Sequence, residues 1–232
     1  MHRRIGILGG LSPESTVTYY HYITREYYRR LGDYGHPEII IYSVNFQEFV
    51  DWQKQGEWKT AAEKMIEVMI SLRKAGADFG LIASNTMHIV FDEVQRRSPM
   101  PLISIIDATA EAIKKEGFNV VGLLGTVFTM RESFYKDGLR KHGIETLVPG
   151  REDREYVDRV IYAELCRGET SPKSREGFVR IVDDLKGRGA QGVALSCTEI
   201  PLLINEEDCK VRLFDTAVIH AKRALDYAIG SE

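Results

Sequence analysis

Three stretches of this chain occur twice, in the same order. "RIGILGG" (4–10) resembles "VVGLLGT" (120–126), "KAGADFGLIASNT" (74–86) resembles "GRGAQGVALSCTE" (187–199), and "LISIIDATAEA" (102–112) resembles "VRLFDTAVIHA" (211–221). The offsets are 116 for Gly6 and Gly122, 113 for Ser84 and Cys197, and 108 for Asp107 and Asp215. Ordered matches at nearly constant spacing are the mark of internal duplication, so each half of the chain has to build the same motif. The motif itself is legible. Short β-branched apolar runs ("RIGILGG", "EIIIYSV", "FGLIAS", "LISII", "VVGLLGT", "GVALSC", "VRLFD") read as strands buried on both faces. They alternate with segments of helical spacing, such as "ESTVTYYHYITREYYRRL", "KTAAEKMIEVMISLRKAG" and "SREGFVRIVDDLKGRG", most of which stop at glycine. Alternation of this kind predicts an α/β chain of two similar lobes, each a parallel sheet with helices on both faces. The lobes are expected to cover 1–104 with 214–232, and 105–213, related by a pseudo-two-fold axis with the active site between them.

Composition narrows the function classes. A chain of 232 residues that is 44% hydrophobic and 28% charged is an ordinary globular protein with a sizeable core. A net charge of −3 with no basic block gives no support for nucleic acid or a membrane surface as partner. No apolar run has membrane-spanning length, and "MHRR" leads into a strand rather than a signal peptide, so a cytoplasmic location is expected. Three cysteines without a CxxC pair do not make a disulfide framework or a zinc ribbon. The six histidines show no HExxH spacing, and no metal site is expected.

Ligands of parallel α/β sheets bind beyond the carboxyl ends of the strands. If the lobes face each other across those ends, Ser84 and Cys197 become equivalent groups on opposite sides of one ligand. Such a pair suits removal of a proton from one face of a carbon and its return to the other. "SNTMH" (84–88) ends a strand in three short polar residues, and Asn85 and Thr86 suit a small carboxylate. Thr198 and Glu199 stand in the same place after Cys197. A thiol at the start of a helix is expected to have a lowered pKa. In "GILGGLSPEST", Ser12 suits an N-cap and Pro13 the first helical position, where free N–H groups favour an anion. That stretch itself contains neither GxGxxG nor GK[ST]. Thr126 and Thr129 in "GTVFTM" are further donors. His88, four residues after Ser84, either polarises its hydroxyl or simply packs. Cys166 and Cys209 read as structural. Lys54, Arg131 and Arg167 are candidates to hold a substrate side-chain carboxylate, with polar help from Gln47 and Gln53.

Gly9-Gly10, Ser84-Asn85-Thr86 and Cys197-Thr198-Glu199, with "LSPEST", "GEW", "DAT", "LLGT" and "FDTAVIHA", resemble the aspartate/glutamate racemases over essentially the whole chain. The likeness is greatest to a bacterial subgroup specific for L-aspartate and L-glutamate, whose first catalytic position is Thr rather than Cys. The resemblance implies an isomerase that needs no cofactor, pyridoxal phosphate included, with Ser84 and Cys197 as its acid/base pair. It implies substrate contacts from Leu11, Ser12, Gln53, Asn85, Thr86, Thr126, Thr129, Thr198 and Glu199, and commonly a homodimer. Serine is the weak member of such a pair. A water-like hydroxyl gives up its proton far less readily than a thiol, which makes ionising Ser84 costlier by on the order of 10 kcal/mol. Protonating a carbanion is far easier for it. Two alternatives stay open: a single-cysteine arylmalonate-type decarboxylase of the same superfamily, and an acidic amino acid binding protein left inactive by the serine.

Overall fold

Strand β1 (Ile5–Gly9) is buried at every position, and successive side chains of a strand point to opposite faces, so both faces of its sheet are covered. We describe a computed structural model in which residues 2–231 are placed. The chain divides into two compact units, Met1–Ile105 with His220–Glu232, and Ile106–Ile219. In the first unit, β1 leads through α1 (Pro13–Leu31) to β2 (Ile39–Ser43). Helices α2 (Phe46–Gln55) and α3 (Trp58–Lys74) then carry the chain to β3 (Phe79–Ile82). A short 3-10 turn (Thr86–Val90) and α4 (Phe91–Arg97) lead on to β4 (Leu102–Ile103). All pairings are parallel and the strand order is β2-β1-β3-β4. Leu8, Phe49, Met65, Met69 and Ile82 anchor its apolar core.

The second unit repeats this plan. It begins with α5 (Ile105–Lys115) and β5 (Val120–Gly125), followed by α6 (Val127–Arg131), α7 (Ser133–Lys141) and β6 (Glu145–Leu147). Next come α8 (Arg151–Ala163), α9 (Pro172–Gly187), β7 (Gly192–Ser196), α10 (Glu206–Cys209) and β8 (Arg212–Asp215); α11 (Thr216–Ile229) closes the chain. Its four parallel strands run β6-β5-β7-β8, the same order. The register repeats as well. Gly6 lies opposite Gly80 between β1 and β3, and Gly122 opposite Val193 between β5 and β7. Offsets of 116 and 113 therefore relate both partners of each pair. A second core, with Leu124, Ile161, Phe178, Ile181 and Leu195, lies within this unit.

The third sequence match is corrected by the register. Gly80 pairs with Leu102 and Val193 with Leu213, so Leu213 is the counterpart of Leu102, and Asp215 the counterpart of Ser104 rather than Asp107. The reason is capping. Asp215 accepts hydrogen bonds from Ala217 N (3.0 Å) and Val218 N (3.1 Å), while Ser104 directly precedes α5. Asp107 instead sits within the first turn of α5, its Oδ1 2.9 Å from His142 Nε2.

Candidate active site

In both units the chain leaves the central strand in one direction and returns on its other side. The carboxyl ends of β1 and β3, and of β5 and β7, therefore diverge into a crevice, the usual ligand position of an open α/β sheet. Gly9-Gly10 and Ser84 lie at the first pair of ends, Gly125-Thr126 and Cys197 at the second. Ser84 and Cys197 thus occupy the same topological position, each one step beyond a fully buried strand and its last small residue.

Around Ser84 the backbone is tightly tied. Gly10 has φ +83°, and a Cβ there would stand 2.5 Å from the Val44 carbonyl oxygen, so glycine is required. The Gly10 N–H donates to Thr16 Oγ1 at 2.8 Å, and Thr16 and Ser15 hydroxyls donate to Ser12 O at 3.1 and 2.9 Å. Ser15 Oγ also lies 3.3 Å from Ala83 O, linking the two strand ends. Ser12 starts α1 as expected, with Pro13 at the first position, but its side chain makes no capping bond to the helix. The Ser84 hydroxyl accepts from Met87 N at 3.4 Å. Leu11, Ser12, Ser84, Asn85 and Thr86 are all buried, as is Gln53 on α2.

His88 does not polarise the Ser84 hydroxyl. Its Nδ1 lies 2.7 Å from the Ser84 carbonyl oxygen, and its Nε2 accepts from Ile105 N at 3.1 Å. Accepting an N–H requires a bare Nε2, so the proton resides on Nδ1 and the ring is neutral. Burial, with His220 nearby, lowers the His88 pKa to about 3, and burial lowers that of His220 to about 4. In the unfolded chain both would titrate near 6.5. Below that pH the unfolded state binds protons that the folded state refuses, so stability falls on acidification. We expect the urea midpoint to drop between about pH 6.5 and 5, before carboxylates titrate. Asp158 and Asp215, raised by burial, act in the opposite sense closer to the carboxylate range. A flat midpoint across that interval would contradict neutral buried imidazoles.

Cys197 corrects a second expectation. The 3-10 turn after it (Ile200–Leu202) is only three residues long, too short to act as a helix N-terminus. Its Sγ donates to Glu199 Oε2 at 3.0 Å, and Thr198 Oγ1 donates to the same oxygen at 2.9 Å. Burial pushes the thiol pKa well above the cysteine range, and the Glu199 carboxylate pushes it further. The resting group is a thiol hydrogen-bonded to Glu199. Nearby, Thr126 Oγ1 accepts from Thr129 N at 3.4 Å and lies 3.1 Å from Thr129 Oγ1. Asp158 Oδ1 accepts from Val127 N at 2.7 Å and so anchors the turn that carries both threonines.

Two residues of α8, Asp158 and Tyr162, enter here without having been singled out from sequence. Tyr162 has its pKa raised by burial and then by Asp158 and Cys197, which places its hydroxyl in their field. Cys166 is pushed to about 12 by burial, then by Glu199 and Asp158, so it borders this site; Cys209, raised to about 11, is buried in the core. The cation candidates Lys54, Arg131 and Arg167 are exposed, as is Gln47, which bonds Asp51 at 2.8 Å. Among the described residues no cluster of three or more His, Cys, Asp or Glu could hold a metal, and no helix is long and apolar enough to cross a membrane.

Known proteins match this arrangement along its length. A Yersinia pestis candidate Asp/Glu racemase superposes with a TM-score of 0.91 at 44% identity, covering 98% of this chain and 99% of its own. An aspartate racemase homologue from Pyrococcus horikoshii OT3 gives 0.85 at 41%, covering 99% and 100%. The broad specificity amino-acid racemase RacX of Bacillus subtilis is 29% identical over 222 residues, 94% of this chain and 95% of RacX. The sequence profile described as Asp/Glu/Hydantoin racemase matches residues 8–224, and the chain belongs to that family.

Proposed function

We propose that this protein is a cofactor-independent racemase of aspartate, glutamate or both, with Cys197 and Ser84 as the acid/base pair on opposite faces of the substrate Cα. The observation that carries this reading is the equivalence of the two positions, one beyond β3 and one beyond β7, combined with a carboxylate on the thiol. From the L enantiomer, Glu199 takes the Sγ proton as the thiolate removes the α-proton. Ser84 Oγ–H then protonates the far face; Glu199 releases its proton to solvent water and Ser84 takes one back from it, which returns both groups to their starting states. His88 takes no part in that relay, because both its ring nitrogens are engaged. By likeness to the L-specific subgroup the preferred enantiomer is L, and the chain acts as a homodimer in the cytoplasm. Leu11, Ser12, Gln53, Asn85, Thr86, Thr126, Thr129 and Thr198 line the substrate.

Glu199 offers a test with two opposite signs. Replacing it by glutamine removes a negative charge beside the thiol, so the Cys197 pKa falls and alkylation by iodoacetamide at pH 8 speeds up. The same change removes the acceptor of the thiol proton, so racemisation slows by about tenfold or more. A variant in which both rates fall, or both rise, contradicts the assignment.

The substrate class is tested by incubating the protein with L-aspartate, L-glutamate, L-lysine and an arylmalonate while following chirality and CO₂ release. Loss of optical activity with an acidic amino acid supports the proposal. Turnover of lysine in preference to the acidic substrates contradicts acidic specificity. Release of CO₂ alone favours the decarboxylase, and thermal stabilisation by aspartate without turnover favours the binding protein.

A further inference from the structure

We propose that His88 is a positioning residue for Ser84, tying the turn that carries the hydroxyl to the backbone that leads out of β4. The proposal rests on the reading of Ser84 as an acid/base group. Two imidazoles make the tie. Tyr19 Oη donates to His220 Nδ1 (2.8 Å), and His220 Nε2 donates to Ile103 O (2.9 Å). Two residues further on, Ile105 N donates to His88 Nε2 (3.1 Å), and His88 Nδ1 donates to Ser84 O (2.7 Å). Each ring donates from one nitrogen and accepts at the other, so the pattern has a single consistent assignment of protons.

The packing leaves the His88 ring little freedom. It is buried, stacks on Phe91 at 4.9 Å with 6° between planes, and meets His220 edge-on at 6.1 Å. The bond to Ser84 O fixes the peptide plane between Ser84 and Asn85. That plane sets both the Cα–Cβ direction of Ser84 and the direction of the Asn85 N–H. A side chain of similar size without polar atoms would leave Ser84 O and Ile105 N buried without these partners. The expected consequence is a displaced hydroxyl rather than a missing one. A misplacement of about 1 Å in a reacting group slows chemistry by up to about a hundredfold.

The experiment compares His88→Phe, His88→Gln and Ser84→Ala in the full-length protein. It measures kcat and KM for racemisation of L- and D-aspartate, and α-proton exchange without inversion in heavy water. Circular dichroism confirms folding, and where His88→Phe does not fold, His88→Met is read in its place. Phenylalanine cannot make either bond, whereas glutamine keeps one donor and one acceptor. We expect His88→Phe to lower kcat by about tenfold or more with KM within about twofold, keeping the exchange that depends on Cys197. His88→Gln should recover most of kcat, and His88→Phe should have no further effect on exchange in a Ser84→Ala background. Racemisation at the wild-type rate in His88→Phe while Ser84→Ala is inactive overturns the role of His88 alone. So does equal loss of exchange and racemisation in a folded variant. Racemisation at the wild-type rate in Ser84→Ala overturns the acid/base reading itself, and the His88 proposal with it.

Discussion

Replacement of Cys197 by alanine is expected to reduce kcat/KM for racemisation by on the order of a thousandfold, within the range that one acid/base group supplies. In the sequence a buried strand stops at "SCTE" and leaves its thiol at the crevice of the second sheet. On the proposed mechanism Glu199, which accepts from Sγ, supplies the acceptor that a high-pKa thiol needs before it can act as a base. Ser84 cannot substitute, since forming its alkoxide costs on the order of 10 kcal/mol more than forming a thiolate. Cys197→Ser should fare only slightly better than alanine, because it makes both groups hydroxyls. The check is polarimetry or chiral chromatography with each enantiomer of aspartate. Cys197→Ala activity within about tenfold of wild type would contradict the assignment.

The second large effect is a gain. Ser84→Cys places a thiol at the equivalent position beyond β3, and a thiol loses its proton far more readily than a hydroxyl. Turnover limited by proton transfer at residue 84 should then rise by about tenfold or more. A racemase has an equilibrium constant of unity, so kcat/KM for the L and D enantiomers must rise together, whatever happens to kcat and KM separately. The deuterium isotope effect on the enantiomer deprotonated by residue 84 should shrink. The geometry around the site favours the exchange, because Ser84 Oγ holds a long contact from Met87 N at 3.4 Å and its backbone is held independently through His88. A Ser84→Cys variant no faster than wild type would show that proton transfer at this residue does not limit turnover.

The duplication was legible because it rests on hard constraints. A buried strand needs a continuous apolar run, and the residue beyond it at the crevice needs to be small and polar. Both copies of that pattern survive at 79–86 and 192–199, and the strand order and register reproduce the offset between them. Elements that carry less apolar signal were not read out. Strand β6 is three residues at a sheet edge, and α8 buries only Val157, Val160 and Ile161 among many charges. Tyr162 and Asp158 lie on α8, whose one sequence signal is the i, i+3, i+4 spacing of its buried residues. Helix α2 was signalled by Asn45, whose side chain accepts from Gln47 N, and by Gly56 in the left-handed region, yet its charged face reads as a loop. The thiol pKa lies above expectation because sequence spacing shows a following helix but not its length, nor that Glu199 folds back onto the sulfur. The part of His88 was ambiguous for a similar reason, since spacing brings it near Ser84 without saying which atom it meets.

The proposed mechanism requires Ser84 and Cys197 to serve one stereocentre from two sides. The measurement that tests this is deuterium incorporation at Cα from heavy water in Ser84→Ala and Cys197→Ala, each given pure L- and pure D-aspartate. We predict that Ser84→Ala exchanges the α-proton of one enantiomer with retention and does not invert it. Cys197→Ala should leave that enantiomer unexchanged. If both variants exchange both enantiomers and convert each to the other, the two residues do not flank a common carbon.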